Sequence, residues 1–426
     1  MIQQFEKIER INGVLRLPGD KSISHRAVMF ASLAKGNSVI NNCSNSEDVK
    51  STINIFSQLG IRIDVEKSRI KITGNGYKGL KSTDSELNAG NSGTTARLLC
   101  GILSAQNFKS VVTGDESLSV RPMLRVVEPL RLMGADIAAS ELGTLPLVIK
   151  PVNQLHAVDY KMKVASAQVK SAIILAGLHL DEETTIYEST LTRDHSERML
   201  GLKKEFINNF TRITVSKSNY PEPFEMTIPS DISTAAFFIV LALLSKNSDL
   251  VIENVSLNST RTGIIKLLSQ MNGNIEIENE NVENGEASGN VKVKPSRLQN
   301  IDIPAEIIPN IIDEVPILSV AGLFADGSFR INNAKELRLK ESDRIKALCY
   351  NYRLLGLEVI EEDDGFQLSG SIKNDGGIVF ESFGDHRIAM AFAVLSMLMK
   401  NGGAVNQFES VAVSNPDFIE QVKLLC

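Results

Sequence analysis

One pattern occurs six times along the 426-residue chain: a polar residue, an apolar stretch rich in Ala, Leu and Met, a Gly or polar break, and a short strand-like run. The polar residues, here called anchors, are Ser22, Ser92, Ser166, Asp231, Asp313 and Asp385. Their successive separations of 70, 74, 65, 82 and 72 residues indicate one long repeat with insertions in surface loops. Because a single core rarely grows to this chain length, six repeats predict two domains of three repeats each.

The repeats contain both kinds of secondary structure. The stretch 235–244 is hydrophobic all round, which predicts a helix buried on every side. Alternating apolar and polar residues at 61–65 and 69–72 predict half-buried strands. Helices and strands therefore interleave, which indicates an α/β fold, and a break before Pro229 divides the chain near its middle.

Composition excludes several classes of protein. Lys and Arg number 45 against 51 Asp and Glu, a net charge of −6 that argues against a nucleic-acid binder. No apolar run approaches the roughly 20 residues of a membrane-spanning helix, and the N-terminus lacks the layout of a signal peptide. The four cysteines form no CxxC pair and the five histidines stand singly, so we expect no metal site. These features predict a cytoplasmic protein.

The anchors also suggest a chemistry. Each stands where a helix N-cap would, and helix N-termini attract anions. Cations accompany several anchors, at 21–26, 121–125, 193–198, 340–344 and 385–387. Together they predict a cleft for a small, multiply anionic substrate, in which Arg side chains bind carboxylate and phosphate groups and carboxylates remain for proton transfer.

Five motifs, in this order, give the chain an end-to-end resemblance to the 5-enolpyruvylshikimate-3-phosphate synthase family: residues 17–22, 90–94, 121–123, 340–344 and 384–387. The resemblance implies an α/β fold with two globular domains, each built from three βαβαββ repeats around buried parallel helices. It places the first domain at 21–228, the second at 1–20 together with 229–426, and the active site in the cleft between them.

The same resemblance implies that the protein is an enzyme of the shikimate pathway, which leads to chorismate and the aromatic amino acids. It would transfer the enolpyruvyl group of phosphoenolpyruvate to the 5-hydroxyl of 3-phosphoshikimate and release phosphate, through a tetrahedral intermediate and without a cofactor. The resemblance implies 3-phosphoshikimate contacts at Lys21, Ser22, Arg26, Ser166, Gln168, Arg193, Asp313 and Lys340. It implies phosphoenolpyruvate contacts at Lys21, Gly93, Arg121, Gln168, Arg344 and Arg387.

The reaction needs two opposed proton transfers, because the hydroxyl loses a proton while C3 of phosphoenolpyruvate first gains and then loses one. The resemblance makes Asp313 the base near the 5-hydroxyl. It gives the proton at C3 to Glu341, with Lys21 as the competing group. The expected partners are these two small-molecule substrates, with no nucleic acid and no membrane, and we expect a monomer.

Departures from the better-known family members point to its second class, many of whose members tolerate the inhibitor glyphosate. Residues 166–170, 193–197 and 258–261 look like that class, and Leu98 and Val413 stand where the first class typically carries Pro and Lys. Gly93, in contrast, is a Gly as in sensitive enzymes, so the response to the inhibitor stays open.

Two alternatives deserve comparison with this interpretation. The sister enolpyruvyl transferase, which acts on UDP-N-acetylglucosamine, usually carries a reactive Cys in a mobile loop, and the corresponding residues 114–122 contain none. A non-catalytic repeat protein would bind anions with its cations, but Asp313 and Glu341 would oppose such binding. The stretch 281–290, rich in Gly, Glu and Asn, is expected to be an exposed turn outside any site.

Overall fold

A computed structural model describes the whole chain, Met1–Cys426. It divides into two compact units. The first unit comprises Pro18–Ile228 and Val282–Glu286, and the second comprises Met1–Leu17, Pro229–Asn281 and Ala287–Cys426. Each unit has its own hydrophobic core.

The elements alternate along the chain as the interleaved pattern predicts. The first fourteen strands are β1 Gln3–Phe5, β2 Asn12–Arg16, β3 Lys35–Asn41, β4 Arg62–Glu66, β5 Arg69–Asn75, β6 Leu87–Asn88, β7 Ser110–Thr113, β8 Asp136–Ala138, β9 Leu147–Lys150, β10 Asp159–Lys161, β11 Thr184–Glu188, β12 Lys204–Ile207, β13 Phe210–Val215 and β14 Glu225–Thr227. The remaining strands are β15 Asp249–Ser256, β16 Asn274–Glu283, β17 Glu286–Lys294, β18 Phe329–Ile331, β19 Glu358–Glu362, β20 Gly365–Ser369, β21 Val379–Glu381 and β22 Gly403–Asn406.

Fourteen α-helices and four short 3-10 helices complete the chain. The α-helices are α1 Lys21–Leu33, α2 Glu47–Gln58, α3 Gly93–Ser104, α4 Glu116–Ser119, α5 Leu124–Leu132, α6 Ala167–Gly177, α7 His195–Met199, α8 Ile232–Leu244, α9 Gly263–Gln270, α10 Ile308–Ile311, α11 Val315–Phe324, α12 Arg344–Leu354, α13 His386–Leu398 and α14 Phe418–Leu425. The 3-10 helices are Lys217–Asn219, Ala305–Ile307, Lys335–Leu339 and Phe408–Val413.

The strands form six small sheets, one for each predicted repeat. In the sheet of order β6-β7-β9-β8, β6 runs parallel to β7, while β9 pairs antiparallel with both β7 and β8. Because α3 lies between β6 and β7 in the chain, and α5 between β7 and β8, this sheet is a βαβαββ unit. The sheet of order β10-β11-β13-β12 repeats the plan with α6 and α7. The predicted α/β repeat architecture is confirmed.

Three sheets take one strand from a distant part of the chain, and in one of them β1 pairs antiparallel with β22 in the second unit. The strand β14 pairs parallel with β3 in the first unit, and β2 pairs parallel with β15 in the second. The N-terminal strands therefore lie in the second unit. The N-terminal segment of the second unit runs from Met1 to Leu17 and so ends three residues before the predicted boundary. The first unit already includes Gly19, because this residue packs closely within it: a Cβ at Gly19 would lie 2.0 Å from the carbonyl oxygen of Asn42.

A buried helix triplet forms the centre of each unit. The helices are α1, α3 and α6 in the first unit and α8, α11 and α13 in the second, and α8 is buried on all sides apart from its last residue, Leu244. In the first triplet, α3 and α6 approach so closely at Gly101 that an added Cβ would lie 2.1 Å from the carbonyl oxygen of Ala172. The prediction of all-round buried helices is confirmed.

Four of the six anchors cap their helices. Ser92, Ser166, Asp231 and Asp385 each accept a hydrogen bond from a backbone N–H in the first turn. The prediction is wrong for Ser22, because Asp20 caps α1 and accepts from the Ile23 N–H over 2.9 Å. It is also wrong for Asp313, which precedes the N-cap Glu314 of α11 and turns its side chain toward neighbouring cations instead.

No single helix is both long and apolar enough to cross a membrane. One bent pair, Ala305–Ile311 and Val315–Phe324, passes a test of length and composition, with a bend of 116° between its two parts.

Candidate active site

The N-terminal ends of the buried helices carry charged side chains in both units. In the first unit, Lys21 opens α1 and its Nζ lies 2.8 Å from Oδ2 of Asp48. The Lys21 side chain is 17% exposed, so its ammonium group is held by a carboxylate but still reachable from solvent. Asp48 was not predicted as a site residue. It lies on α2, and only the packing of α1 on α2 brings it to Lys21.

The start of α3 is lined by an arginine that sequence reasoning missed. Arg97 donates through one guanidinium nitrogen to Oε1 of Gln168 over 2.7 Å and through another to the carbonyl oxygen of Pro122 over 3.3 Å. Gln168 in turn donates to Oγ1 of Thr94 over 3.0 Å. A Cβ added to Gly93 would lie 2.6 Å from the same Arg97 nitrogen. Gly93 therefore leaves the space that this guanidinium occupies.

Arg121 reaches the same region from the loop before α5. One of its terminal nitrogens donates to Oδ1 of Asn91 over 2.8 Å and to Oγ of Ser117 over 3.0 Å. The other terminal nitrogen lies 3.6 Å from the position of a Cβ on Gly93. Arg97, Arg121 and Gln168 thus surround the N-terminus of α3, which concentrates positive charge where a helix already favours an anion.

Arg26 ties three helices together. Its Nε donates to Oγ of Ser196 on α7, one terminal nitrogen donates to Oγ of Ser171 on α6, and the other donates to the carbonyl oxygen of Ser22, over 2.8, 2.8 and 2.9 Å. The side chain is 3% exposed, and burial lowers the pKa of Arg26 to about 10, with the nearby charge of Arg193 acting in the same direction. Arg193 itself is half-buried.

Behind Arg26 lies a buried ion cluster that was also missed. Nζ of Lys170 lies 2.8 Å from a carboxylate oxygen of Glu188 and 2.7 Å from one of Glu197, and all three side chains are buried. Burial opposes the charge of Lys170, but the two carboxylates outweigh it and raise its pKa. Because Lys170 follows Gln168 on α6, the cluster fixes the helix that carries this site residue and its cap Ser166.

In the second unit, five predicted residues form one cluster around Asp313. Its Oδ1 accepts from Arg344 over 3.2 Å and lies 3.4 Å from Nζ of Lys340, and its Oδ2 lies 3.8 Å from Arg387. Glu341 joins the cluster through Oε2, which accepts from Arg344 over 2.6 Å. The structure thus places both candidate proton-transfer carboxylates on a single guanidinium.

The Arg344 guanidinium also binds Asp385, the N-cap of α13. Nε of Arg344 donates to Oδ2 of Asp385 over 2.7 Å. Burial by itself lowers the pKa of Arg344, but Asp385, Glu341 and Asp313 together raise it above its ordinary value. Arg344 therefore remains a cation although it is almost fully buried.

A second buried group stands beside Arg387. One terminal nitrogen of Arg387 lies 3.9 Å from Oε1 of Glu314, and that oxygen also accepts a hydrogen bond from Ser233. Arg261 donates to Oγ of Ser233 over 2.6 Å. Glu314 and Arg261 were not predicted as site residues. Charged residues inside otherwise apolar segments, such as Arg97 in α3, were the signal that could have identified several of the missed groups.

The stretch 281–290 differs from the expected exposed turn. It forms the end of the hairpin β16–β17, whose tip, Val282–Glu286, belongs to the first unit. Oε1 of Glu286 lies 2.7 Å from Nδ1 of His195, and both side chains are buried. The prediction holds for Asn284 and Gly285, which form an exposed turn, but Glu286, Ser288 and Gly289 are buried. The polar composition gave no sign of this burial, because it depends on the residues against which the hairpin packs.

Comparison with known proteins decides the family. A family model described as EPSP synthase (3-phosphoshikimate 1-carboxyvinyltransferase) matches residues 5–422. The chain belongs to the EPSP synthase family. Its relatives include the 3-phosphoshikimate 1-carboxyvinyltransferase of Petrotoga mobilis, 44% identical over 97% of this chain and 96% of that protein. That of Caldicellulosiruptor saccharolyticus is 44% identical over 98% and 97%.

Solved structures agree with this membership. The EPSP synthase of Acinetobacter baumannii superposes with a TM-score of 0.87 at 39% identity, covering 100% of this chain and 98% of that one. The enolpyruvyl transferase NikO from Streptomyces tendae gives a TM-score of 0.78 at 16% identity, covering 100% and 97%, which is a likeness of fold alone. The two-domain enolpyruvyl transferase fold is therefore confirmed.

Proposed function

We propose that this EPSP synthase family member transfers the enolpyruvyl group of phosphoenolpyruvate to the 5-hydroxyl of 3-phosphoshikimate and releases phosphate. The observation that carries the proposal is the cluster in which Arg344 holds Asp313 and Glu341 together while Lys340 and Arg387 stand beside Asp313. A site for two anionic substrates needs the cations, and the reaction needs the carboxylates. The names of the full-length relatives give the acceptor as 3-phosphoshikimate.

Binding is assigned to both units. We assign 3-phosphoshikimate to Lys21, Ser22, Arg26, Ser166, Gln168, Arg193, Asp313 and Lys340, and phosphoenolpyruvate to Lys21, Gly93, Arg121, Gln168, Arg344 and Arg387. The positive charge around Gly93 supports the second assignment, because Arg97 and Arg121 approach the N-terminus of α3 there. Arg26 also fixes α1, α6 and α7 relative to one another, since its guanidinium nitrogens donate to groups on all three helices.

The chemistry consists of an addition and an elimination. The 5-hydroxyl oxygen bonds to C2 of phosphoenolpyruvate and its proton passes to Asp313, while C3 gains a proton from Glu341 or Lys21 and becomes a methyl group. The phosphate then leaves C2 with the C–O electron pair, the methyl group returns one proton, and the C2–C3 double bond forms again. Asp313 stands beside three cations, Lys340, Arg344 and Arg387.

The orientation of the groups lowers the barrier. Charge develops on the leaving phosphate and on the substrate carboxylate, and arginines that are already fixed by buried carboxylates stabilise it without reorganising. Arg344, held by Asp385, is such a group. A terminal nitrogen of Arg344 lies 2.6 Å from Oε2 of Glu341, which keeps this second carboxylate within the same cluster. The Glu341 side chain is 20% exposed and therefore open to a substrate.

The test is phosphate release from phosphoenolpyruvate with 3-phosphoshikimate or UDP-N-acetylglucosamine as acceptor. The proposal expects release with 3-phosphoshikimate alone, and a loss of about 10³-fold or more in Asp313→Asn, which keeps the shape of the side chain but removes the base. Asp302→Asn, at an exposed carboxylate, is the matched control. Release only with the sugar nucleotide would refute the proposal.

Exchange of the C3 hydrogens of phosphoenolpyruvate with deuterated solvent distinguishes the two candidates for the second proton. It requires formation of the methyl group, and so reports directly on the group that protonates C3. If Glu341 is that group, Glu341→Gln abolishes the exchange while Lys21→Met slows it only through weaker binding. The reverse result assigns the proton to Lys21.

Three further assignments complete the proposal. We place the protein in the second, often glyphosate-tolerant class of the family on the strength of residues 166–170, 193–197 and 258–261. We also assign it to the cytoplasm as a monomer. A glyphosate titration of phosphate release and a sedimentation measurement of the molecular mass test the first and the last of these.

A further inference from the structure

The short helix α7 is tied to three different parts of the first unit. Its first three residues, His195, Ser196 and Glu197, are all buried. His195 contacts Glu286 at the hairpin tip, Ser196 accepts from Arg26 on α1, and Glu197 pairs with Lys170 on α6. Three consecutive side chains thus fix the place of this helix.

The tip of hairpin β16–β17 is held tightly at this helix. A terminal nitrogen of Arg198 donates to the carbonyl oxygen of Gly285 over 3.3 Å, and a Cβ on Gly285 would meet the carbonyl oxygen of Arg198 at 2.7 Å. Gly285 also has a φ of +79°, a conformation that favours glycine. The close approach leaves Glu286 beside His195, 91 residues away in the chain.

The other side of the tip is fixed by β14. Oε1 of Glu283 accepts from the backbone N–H of Thr227 over 2.9 Å, and Nδ2 of Asn284 donates to the carbonyl oxygen of Glu225 over 3.2 Å. The tip is therefore anchored at both ends of its turn. A displacement of α7 relative to β14 would have to break these bonds or the contact between Glu286 and His195.

We propose that Glu286 is a positioning residue for the 3-phosphoshikimate half of the site. It acts through His195, which holds α7 and with it Ser196, the partner of Arg26, and Arg193, which lies two residues before His195. This inference rests on the proposed function. Lys21 on α1 and Gln168 on α6 are assigned to both substrates. The residues assigned to phosphoenolpyruvate alone lie around the start of α3 or in the second unit, so Glu286 acts mainly on 3-phosphoshikimate.

The physical reason is the burial of the pair. Removing the carboxylate deprives the His195 Nδ1 group of a strong partner inside the protein, where an unsatisfied polar group is costly. The helix can lower that cost by shifting, and a shift of about 1 Å in a positioning group is enough to lose much of a substrate's affinity. The conservative variant Glu286→Gln retains an oxygen that can accept from Nδ1 of His195, so α7 should keep its position in this variant.

The experiment measures three quantities in wild type, Glu286→Ala, Glu286→Gln and Glu278→Ala. They are the dissociation constant of 3-phosphoshikimate by calorimetry, the KM of phosphoenolpyruvate and kcat. Glu278 is an exposed carboxylate on the same hairpin, and its substitution is the matched control. Thermal melting establishes that each variant is folded.

We expect Glu286→Ala to weaken 3-phosphoshikimate binding about tenfold, with the KM of phosphoenolpyruvate and kcat within about twofold of wild type. Glu286→Gln should recover most of the affinity, and Glu278→Ala should match wild type. Equal weakening of both substrates, or unchanged 3-phosphoshikimate binding in a folded Glu286→Ala, would overturn the inference. Failure of the wild type to bind or turn over 3-phosphoshikimate would instead refute the proposed function, and this inference with it.

A double variant separates positioning from a general loss of stability. Ser196→Ala directly removes the hydrogen bond that Nε of Arg26 donates to α7. If Glu286 acts through α7, Glu286→Ala adds little to the loss of 3-phosphoshikimate affinity already caused by Ser196→Ala, because both substitutions break the same connection. Losses that multiply in the double variant would contradict a shared path through α7.

Discussion

Nε of Arg344 donates to Oδ2 of Asp385 over 2.7 Å, and both side chains are almost completely buried. Asp385 also caps α13, because its Oδ1 accepts from the backbone N–H of Arg387 over 2.9 Å. One carboxylate therefore fixes two of the arginines that we assign to phosphoenolpyruvate. The positions of Arg344 and Arg387 in the cluster around Asp313 therefore depend on Asp385, which is not itself assigned to either substrate.

Removal of that carboxylate should affect both stability and binding. Asp385→Ala is expected to lower the free energy of unfolding by about 3–5 kcal/mol, since it leaves the buried Arg344 without its main partner. Asp385→Asn retains an acceptor for the cap and should lose less. Urea denaturation measures the stability, and the KM of phosphoenolpyruvate should rise in both variants. A loss below about 1 kcal/mol in Asp385→Ala would contradict the role of the pair.

Gly93→Ala should weaken phosphoenolpyruvate binding selectively. The new Cβ would lie 2.6 Å from a terminal nitrogen of Arg97, so that guanidinium must move away from Gln168. We expect a rise of about tenfold in the KM of phosphoenolpyruvate, because a small displacement of a positioning group is costly. The dissociation constant of 3-phosphoshikimate is the internal control and should change by less than twofold. Because only the end of a flexible side chain must move, the melting temperature should stay close to that of wild type.

Gly101→Ala should destabilise the first unit. The added Cβ would lie 2.1 Å from the carbonyl oxygen of Ala172, and a backbone atom cannot turn away as a side chain can. Separating α3 from α6 is expected to cost about 3 kcal/mol or more, measured by urea denaturation. Ala172→Gly should not restore stability in the double variant, since the contact is with the main chain. Restoration would show that the methyl group of Ala172 causes the conflict.

The stability of the first unit should depend on pH through His179. Neither ring nitrogen of this buried residue has a hydrogen-bond partner, and burial lowers the pKa of His179 to about 3. The unfolded chain binds this proton near pH 6.5 and the folded chain does not until far lower pH. The contribution to stability is therefore complete above pH 6.5 and is lost progressively as the pH falls toward 3.

Between pH 7 and pH 5 this residue should account for about 2 kcal/mol of lost stability. Between pH 7 and pH 5, the free energy of unfolding of His179→Leu should therefore fall by about 2 kcal/mol less than that of wild type. Urea denaturation at the two pH values measures this difference. His156→Gln, at an exposed histidine, is the control and should follow wild type. Identical slopes for wild type and His179→Leu would mean that His179 takes up its proton in the folded state as readily as in the unfolded chain.

Secondary structure and the repeat could be predicted because their signals are local. The apolar run at 235–244 lies within α8, and the alternating residues at 61–65 and 69–72 fall in β4 and β5, except that Ile61 precedes β4 and β5 continues to Asn75. A helix or strand shows its buried face in the spacing of a few neighbours. Caps were less secure, since Asp20 and Ser22 are both good N-caps by type and only the course of the backbone chooses between them.

The amino-acid sequence by itself determined the six repeats, the buried helices, the family and the kinds of charge that the site would carry. Only the tertiary structure decided which polar groups meet: Arg97 with Gln168, Arg344 with Asp385, and Glu286 with His195. These partners lie 71, 41 and 91 residues apart in the chain. No local spacing encodes such a pair, because it forms only when separately predicted helices and hairpins pack and leave two buried polar groups without water to solvate them.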